Sequence, residues 1–573
     1  MTKQLLRIMA LALLVVTFFI NPTYATTEKG DTLVIHAQDQ QSTPWNEIVM
    51  GDTNASGVRN HMVYELDPGG WYPMSSTLTS GENDLHIIGG KRTAGQSRPY
   101  ILVDDEFGNN GYWYMFSAGM DVTFEGLHVM QIAATIGGNI GAWARAGLEL
   151  TGTNAHVVFH DCIWDFTTGF TAAMTKDGTN LKVTNCLFRF NKPLDNAVWA
   201  GQGLDVSAAT LDTVIIKNCT WYGGGPFMLK TWESTEEFFQ MDHVSIVDFV
   251  QWPIHGVHWV NSEFTNNLFY NAYTMGEDSA QIKGQDPDLL PFGVIDIDTL
   301  YFDENQNMDA TREAARNVLV SNNNNFTSQV IKDYWAVATA EADQEKYHFF
   351  KATDPTFYDG FMNTRTRAMF EDDATWPGLV MQNTTSLDPE FTDYFDYADT
   401  LVQYSKAFYI YAWPGTDSTS FMMDPDGEPL NPTDPMYYDM KITNSTLRTA
   451  STSGGPIGDL TWELADGYNS TQAEILTDVK ETPELPSAFV LKQNYPNPFN
   501  PTTNIEFSIP ESGIVTLKVY NILGQEVATL VNKQMATGSY QVDFDASKLS
   551  SGVYIYRLKT NSFTSAKKMM LLK

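Results

Sequence analysis

Apolar residues recur along the chain in short phrases of one form: two apolar positions spaced two apart, a turn residue, then an apolar position three further on. Aligned on the turn residue, the phrase falls at Gly126, Asp161, Asn185, Asn218, Asp242 and Asn266. The pairs before it are Val122/Phe124, Val157/Phe159, Leu181/Val183, Val214/Ile216, Phe238/Gln240 and Ser262/Phe264. The position three after it holds Val129, Trp164, Phe188, Trp221, Ser245 and Phe269. An earlier phrase, Leu85 and Ile87 followed by Gly89, fits the same frame. A spacing of two is the period of a strand with one buried face, and the turn residue marks a fixed corner. Successive corners lie 35, 24, 33, 24 and 24 residues apart, the period of a solenoid whose coils vary by insertion. One coil cannot bury its apolar side alone, but stacked coils share a continuous core.

The three cysteines of the chain, Cys162, Cys186 and Cys219, all occupy the slot just after an Asp or Asn corner. Coils stacked about 4.8 Å apart place them in one column of buried, reduced thiols. An Asp/Asn column runs beside it, and His243 and Asn267 continue the series. A small, weakly polar side chain suits a crowded corner. A zinc site would want four ligands at compact spacing such as C-x-x-C, which this sequence lacks.

The pattern resembles the right-handed parallel β-helix, the architecture of pectate lyases and many bacterial surface proteins. The resemblance covers roughly residues 33–271 and implies an all-β solenoid. Further along, "NVLVSNNNNF" (Asn317–Phe326) reads as one more coil, and "SQVIKDYWAVATAEADQEKYHFF" consists mostly of good helix formers. Aromatic, Pro-rich loops follow up to "GGPIGDLTW" (Gly454–Trp462), a phrase similar to one in secreted bacterial β-helix proteins of unassigned function. The organisation expected is a β-helix over 26–276, further coils with irregular insertions over 277–480, and a linker over 481–488.

Residues 489–573 alternate again, with Ile505/Phe507/Ile509, Val515/Leu517/Val519, Tyr540/Val542/Phe544 and Val553/Ile555/Tyr556 as apolar faces. Turn signals at "PESG", "NILGQ" and "KLSSG" separate these runs, as a small Ig-like β-sandwich requires. Asn494–Pro501, Val519–Val527, Gly552–Leu558 and the basic tail from Lys567 closely resemble the type A C-terminal sorting domain of the type IX secretion system. That resemblance implies handling by the type IX secretion machinery in a two-membrane bacterium. It further implies release, or anchoring to surface lipopolysaccharide.

The N-terminus agrees with export. "MTKQLLR" is a basic n-region, "IMALALLVVTFFI" an apolar h-region, and cleavage is expected after Ala25, making 1–25 a signal peptide. That apolar run falls short of the roughly 20 residues that span a bilayer. No second one follows, so no membrane-spanning segment is expected in the mature protein. Sixty-nine acidic against 35 basic residues give a formal charge of −34, which argues against nucleic acid as a partner.

Candidate chemistry is sparse. H-E-x-x-H, Walker, G-x-S-x-G and strand-to-helix G-x-G-x-x-G motifs are missing. His156 and His160 sit four apart, which on a strand separates them by about 13 Å, too far to share an ion. "DPDGEP" (Asp424–Pro429) lacks the further acidic positions of a calcium loop. Trp164 and Trp221 fall in an apolar column, whereas Trp199, Trp232, Trp252 and Trp259 fall outside the columns and are candidates for stacking on sugar rings. One strand before each corner, Glu149, Lys176, Asp205, Lys230 and His255 recur at similar offsets. They predict a polar stripe along one outer face. The resemblance to polysaccharide lyases implies acidic Ca2+ ligands and a basic proton acceptor on such a stripe, and glycoside hydrolases of this fold use clustered carboxylates. Neither motif is present. The expectation is therefore a binding or structural surface protein with a carbohydrate-type ligand, without a required cofactor, ahead of a lyase or hydrolase.

Overall fold

A computed structural model gives the fold. It describes residues 25–37, 44–93, 95–103, 113–131, 144, 146–167, 169–189, 202–225, 227–231, 234–249, 253–256 and 258–273. Further along it describes 293–302, 307–340, 361–393, 439–464, 467–469, 490–491, 499, 501–509, 513–521, 525–535, 538–546, 549, 552–560 and 564–571. The chain divides into two compact units, Met1–Glu474 and Ile475–Lys573.

The first unit is a parallel β-helix with three strand-bearing faces. On the first face Val122, Val157, Leu181, Val214 and Phe239 pair rung to rung and point inward. On the second, Val129, Trp164, Phe188, Trp221, Ile246 and Phe269 form the inner column. The third is a seven-stranded parallel sheet whose inner column is Leu78, Phe116, Leu148, Ala172, Leu204, Leu229 and Ile254. Aromatic rings stack within the core, as where Phe188 lies 4.3 Å from Trp221 at 9°. A short helix, Trp45–Gly51, packs its buried Trp45 and Val49 into the core among the first coils.

From Gly126 onward each coil turns from the first face to the second through one residue in the left-handed region. Asp161, Asn185, Asn218, His243, Asn266, Asn322 and Asn383 have φ between 51° and 58°, and Gly126 has 64°. Asn, Asp and His are the non-glycine residues that best tolerate this region. The fifth corner is therefore His243 and not Asp242. The ladder pairs Lys217 with Asp242 and Val214 with Phe239, so Phe239 and Met241 face the core while Phe238 and Gln240 remain half-buried. Two adjacent phenylalanines left the register open by one residue, and a slip of one exchanges the faces. The slot after the corner consequently reads Cys162, Cys186, Cys219, Val244, Asn267 and Asn323, with Val244 where His243 was expected.

That slot carries out one task. A left-handed corner takes backbone groups out of ladder alignment, and a buried orphan carbonyl is costly. The thiols of Cys162, Cys186 and Cys219 lie 3.3, 3.2 and 3.1 Å from the carbonyls two residues earlier, His160, Thr184 and Lys217, which also accept the corner N–H of the preceding coil. Cys162 and Cys219 also lie 3.3 and 3.7 Å from the carbonyls of Phe124 and Val183 in the preceding coil. Asn267 and Asn323 donate to the equivalent carbonyls of Met241 and Phe264, at 3.0 and 2.8 Å. In return the slot accepts: the Cys186 amide donates to the Cys219 sulfur, Val244 to Asn267 and Asn267 to Asn323. Cysteine serves in the earlier coils and asparagine in the later ones, because each is a compact donor–acceptor; at Val244 only the backbone amide takes part.

Past the corner at Asn322 the structure adds a coil. Leu379–Gln382 pairs in parallel with Val318–Ser321, and Asn383 turns it. Gln329–Ala340 is an α-helix. Residues 439–464 and 467–469 then run back along the stack as a strap. The Asn322 amide donates to the Ala450 carbonyl, and the Asn266 side chain pairs with Thr452 in both directions. Further back, Gly458 N–H donates to the Asn266 carbonyl, Leu460 N–H to Asn218 and the Trp462 indole to Thr220. At the far end, the Arg98 guanidinium donates to the Tyr468 carbonyl at 2.7 Å. The phrase "GGPIGDLTW" is the middle of this strap.

The second unit is an antiparallel sandwich. Strands 490–491, 502–509 and 538–545 form one sheet, and 526–535, 513–521, 552–559 and 564–571 the other. Ile505, Phe507, Val515, Leu517, Val519, Phe544, Tyr556, Leu558, Met569 and Leu571 fill the space between. In strand 552–559 the inward residues are Tyr554, Tyr556 and Leu558, not Val553 and Ile555, since burial alternates from Tyr554 onward.

All three cysteines are free and fully buried, and burial raises the Cys162 and Cys186 thiols far above their ordinary range. Alkylation of native protein should label none of them, and alkylation after denaturation without reductant should label all three. A Cys186–Cys219 disulfide by mass spectrometry would contradict the column. Replacing Cys186 with Arg buries an unpaired charge and should cost at least about 3 kcal/mol in a denaturant titration.

Candidate functional site

The polar stripe lies on the outer side of the seven-stranded sheet. Strand alternation places Leu148, Leu204, Leu229 and Ile254 in the core, so the next residues, Glu149, Asp205, Lys230 and His255, emerge on the opposite face. Their rungs pair directly: Glu149 with Ala173, Ala173 with Asp205, Asp205 with Lys230 and Lys230 with His255. Lys176 is not part of the stripe. Ala173 occupies its rung, and Lys176 lies in the following turn, where its carbonyl accepts from the Thr179 hydroxyl.

Two charges of the stripe pair with each other. Lys230 Nζ lies 3.6 Å from Asp205 Oδ2, and the other Asp205 oxygen accepts from the Ser207 amide at 3.0 Å. The Ser207 hydroxyl donates to the same oxygen. The His255 ring stacks on Phe227, with centroids 4.6 Å apart at 14°. Burial, reinforced by the neighbouring Lys230 charge, pushes His255 down to about 3. Its imidazole is therefore neutral and a weak proton acceptor at ordinary pH. Glu149 and Asp205 are two rungs apart with Ala173 between them, and both Asp205 oxygens are engaged by Lys230 and Ser207. Among the described residues no group of three or more His, Cys, Asp or Glu gathers around a common point.

Other candidates resolve into structure. Trp259 is buried, its indole donating to the Asp296 carbonyl at 2.9 Å, so it cannot stack on a sugar. Trp199, Trp232, Trp252 and Asp424–Pro429 lie outside the described residues. His156 bonds Asp121 at 3.2 Å and His160 bonds Thr184 at 2.8 Å, each held by its own neighbour.

Two buried polar clusters had no motif to announce them. On the outer side of the second face, His128 Nε2 lies 2.6 Å from Asp165 Oδ2. The Arg189 guanidinium donates to both Asp165 oxygens at 2.8 and 2.6 Å. Burial pushes Asp165 up, but Arg189 and His128 outweigh it and hold the group at about 2. All three residues are at most 9% exposed, so the cluster pins three successive coils and does not face a substrate. Its signal was the shared offset of Asp165 and Arg189, four residues past their corners.

The second cluster is beneath the strap. Asp459 accepts from Thr220 at 2.7 Å and from the Thr461 amide at 2.9 Å, and contacts the Tyr468 hydroxyl. That hydroxyl also lies 2.8 Å from the Cys186 carbonyl. Tyr468 has one proton for two acceptors, so a protonated Asp459 satisfies both. Burial pushes Asp459 up to about 6; Asp296 is likewise raised to about 6, and Glu236 to about 7.

The folded Asp459 value lies above its ordinary 3.8, so its contribution to stability is fully present below pH 4 and lost as pH rises through 6. Relative to wild type, Asp459→Asn should therefore gain thermal midpoint progressively between pH 4 and 7. A difference that stays flat across that range, by differential scanning fluorimetry, would contradict the assignment.

Residues 493–572 match the family described as the secretion system C-terminal sorting domain. The match covers the antiparallel sandwich and carries an export address of the type IX system. No curated protein matches the chain in sequence. No helix among the described residues is long and apolar enough to cross a membrane.

Proposed function

We propose that this exported protein works at the cell surface or in the medium as a binding or structural β-helix with a carbohydrate-type ligand. The observation that carries the reading is the Lys230–Asp205 pair. An enzyme of the lyase type needs a base and metal-holding carboxylates converging on one reacting carbon. Here the ammonium is matched by the carboxylate beside it, and His255 is held neutral against Phe227. A binding face needs only donors and acceptors in line. Glu149 and Lys230, the partly exposed members of the stripe, supply these along rungs about 4.8 Å apart, suited to an extended, hydroxyl-rich chain lying along the stack.

Purified protein should retain one or more acidic or neutral polysaccharides on affinity gels without shortening them. Lys230→Ala should cost at most about 1 kcal/mol of stability, as expected for a partly exposed ion pair. Cleavage by wild type that disappears in Lys230→Ala at an unchanged thermal midpoint would replace this reading with a lyase.

The two cores are expected to be separable, so deleting residues 485–573 should leave a folded β-helix in the periplasm. Normal amounts of truncated protein in the medium would show that the tail is not the export signal.

A further inference from the structure

The second unit is electrically divided. Residues 493–573 carry eight Lys and Arg against five Asp and Glu, whereas the other 492 residues carry 27 against 64. Strand membership separates the charges further. The four-stranded sheet holds Lys518, Lys533, Arg557, Lys559, Lys567 and Lys568 against a single acidic residue, Glu526. The three-stranded sheet holds Glu506, Asp543 and Asp545 and no basic residue.

Alternation fixes which of these cations face away from the core. Leu517, Leu558 and Met569 are fully buried, so Lys518, Arg557, Lys559 and Lys568 take the opposite face. Lys518 and Arg557 are direct cross-strand partners, and Lys568 pairs with Ile555. Like charges set directly opposite destabilise a sheet, and the sandwich core gains nothing from them. Arg557 also stacks over the Tyr520 ring, 4.6 Å from its centroid, with a bond to the phenol oxygen at 2.5 Å. Such stacking holds the planar guanidinium ready for bidentate pairing with a carboxylate. Ile555 and Met570 are exposed on the same face, at 40% and 37%.

We infer that this outer face, centred on Arg557, Lys559 and Lys568, docks the tail onto an acidic protein surface of the export route. The inference rests on the reading that the tail directs export. Charge complementarity selects an anionic partner. The exposed isoleucine and methionine among the cations favour a protein over a bare phosphate layer, because Arg and Met are enriched at protein interfaces while charge is depleted at their centres.

The test uses the full-length chain in its source bacterium, with Arg557→Glu, Lys559→Glu and Lys568→Glu combined. Secreted protein should fall at least tenfold, with precursor accumulating in the periplasm. Thr502→Glu, an exposed position on the acidic sheet, should leave export at the wild-type level. The neutral set Arg557→Gln, Lys559→Gln and Lys568→Gln should fall between. Thermal midpoints of the purified variants should stay within a few degrees of wild type; if the triple reversal unfolds, the neutral set carries the test. Normal export of the reversed or neutral set would overturn the proposal. So would normal export combined with lost binding to lipopolysaccharide vesicles, which would assign the face to lipid phosphate. If the 485–573 deletion also exports normally, the export reading itself fails; if only the deletion blocks export, the docking face alone fails.

Discussion

The β-helix depends on how each coil survives its corner. A left-handed residue lets the chain turn in one step, so every coil begins its second face at the same height. The same residue strips neighbouring backbone groups of ladder partners. Cys162, Cys186, Cys219, Asn267 and Asn323 repair that loss by giving a hydrogen bond and accepting one across the rung gap. Without this exchange the buried amides of Cys186, Val244 and Asn267 would lose their acceptors, each orphan costing on the order of 1–3 kcal/mol.

The strap extends the same logic outward. Corner amides of Asn218, Asn266 and Asn322 project from the stack and find backbone or hydroxyl partners in residues 450–461. Burying such groups is tolerable only when nearly all are satisfied. The cost is concentrated at Asp459, a buried carboxyl of the strap, where a retained proton lets a tyrosine and a main-chain carbonyl share a single network.

Much of this was legible in the sequence. Val157/Phe159 and Leu181/Val183 state the strand period, and Asp161, Asn185 and Asn218 mark corners, because few residues other than glycine accept a positive φ. The limits were equally physical. "FFQMDHV" has apolar residues in both registers, so only pairing with the preceding strand decides that His243 turns. Ala173, being small and apolar, gave no sign that it holds the rung assigned to Lys176. The coil at Leu379–Gln382 was hidden because a single short strand followed by one Asn is too little pattern to separate from a loop. The His128–Asp165–Arg189 cluster lies on three different coils, and proximity across coils is invisible until the register is known.

The bond between Arg98 and the Tyr468 carbonyl closes a separation of 370 residues. Rung-to-rung pairing closes loops of about 24–35 residues, whereas contacts so distant in sequence close far longer ones and form later. A chain threaded through a pore with its N-terminus leading would therefore wind its early coils long before the strap existed to cover them. Until then Asn218, Thr220 and Ser245 would exchange hydrogen bonds with water. The protein's final rigidity is thus a property of the finished strand, acquired in one closing step, and a partly delivered chain is the more pliable for lacking it.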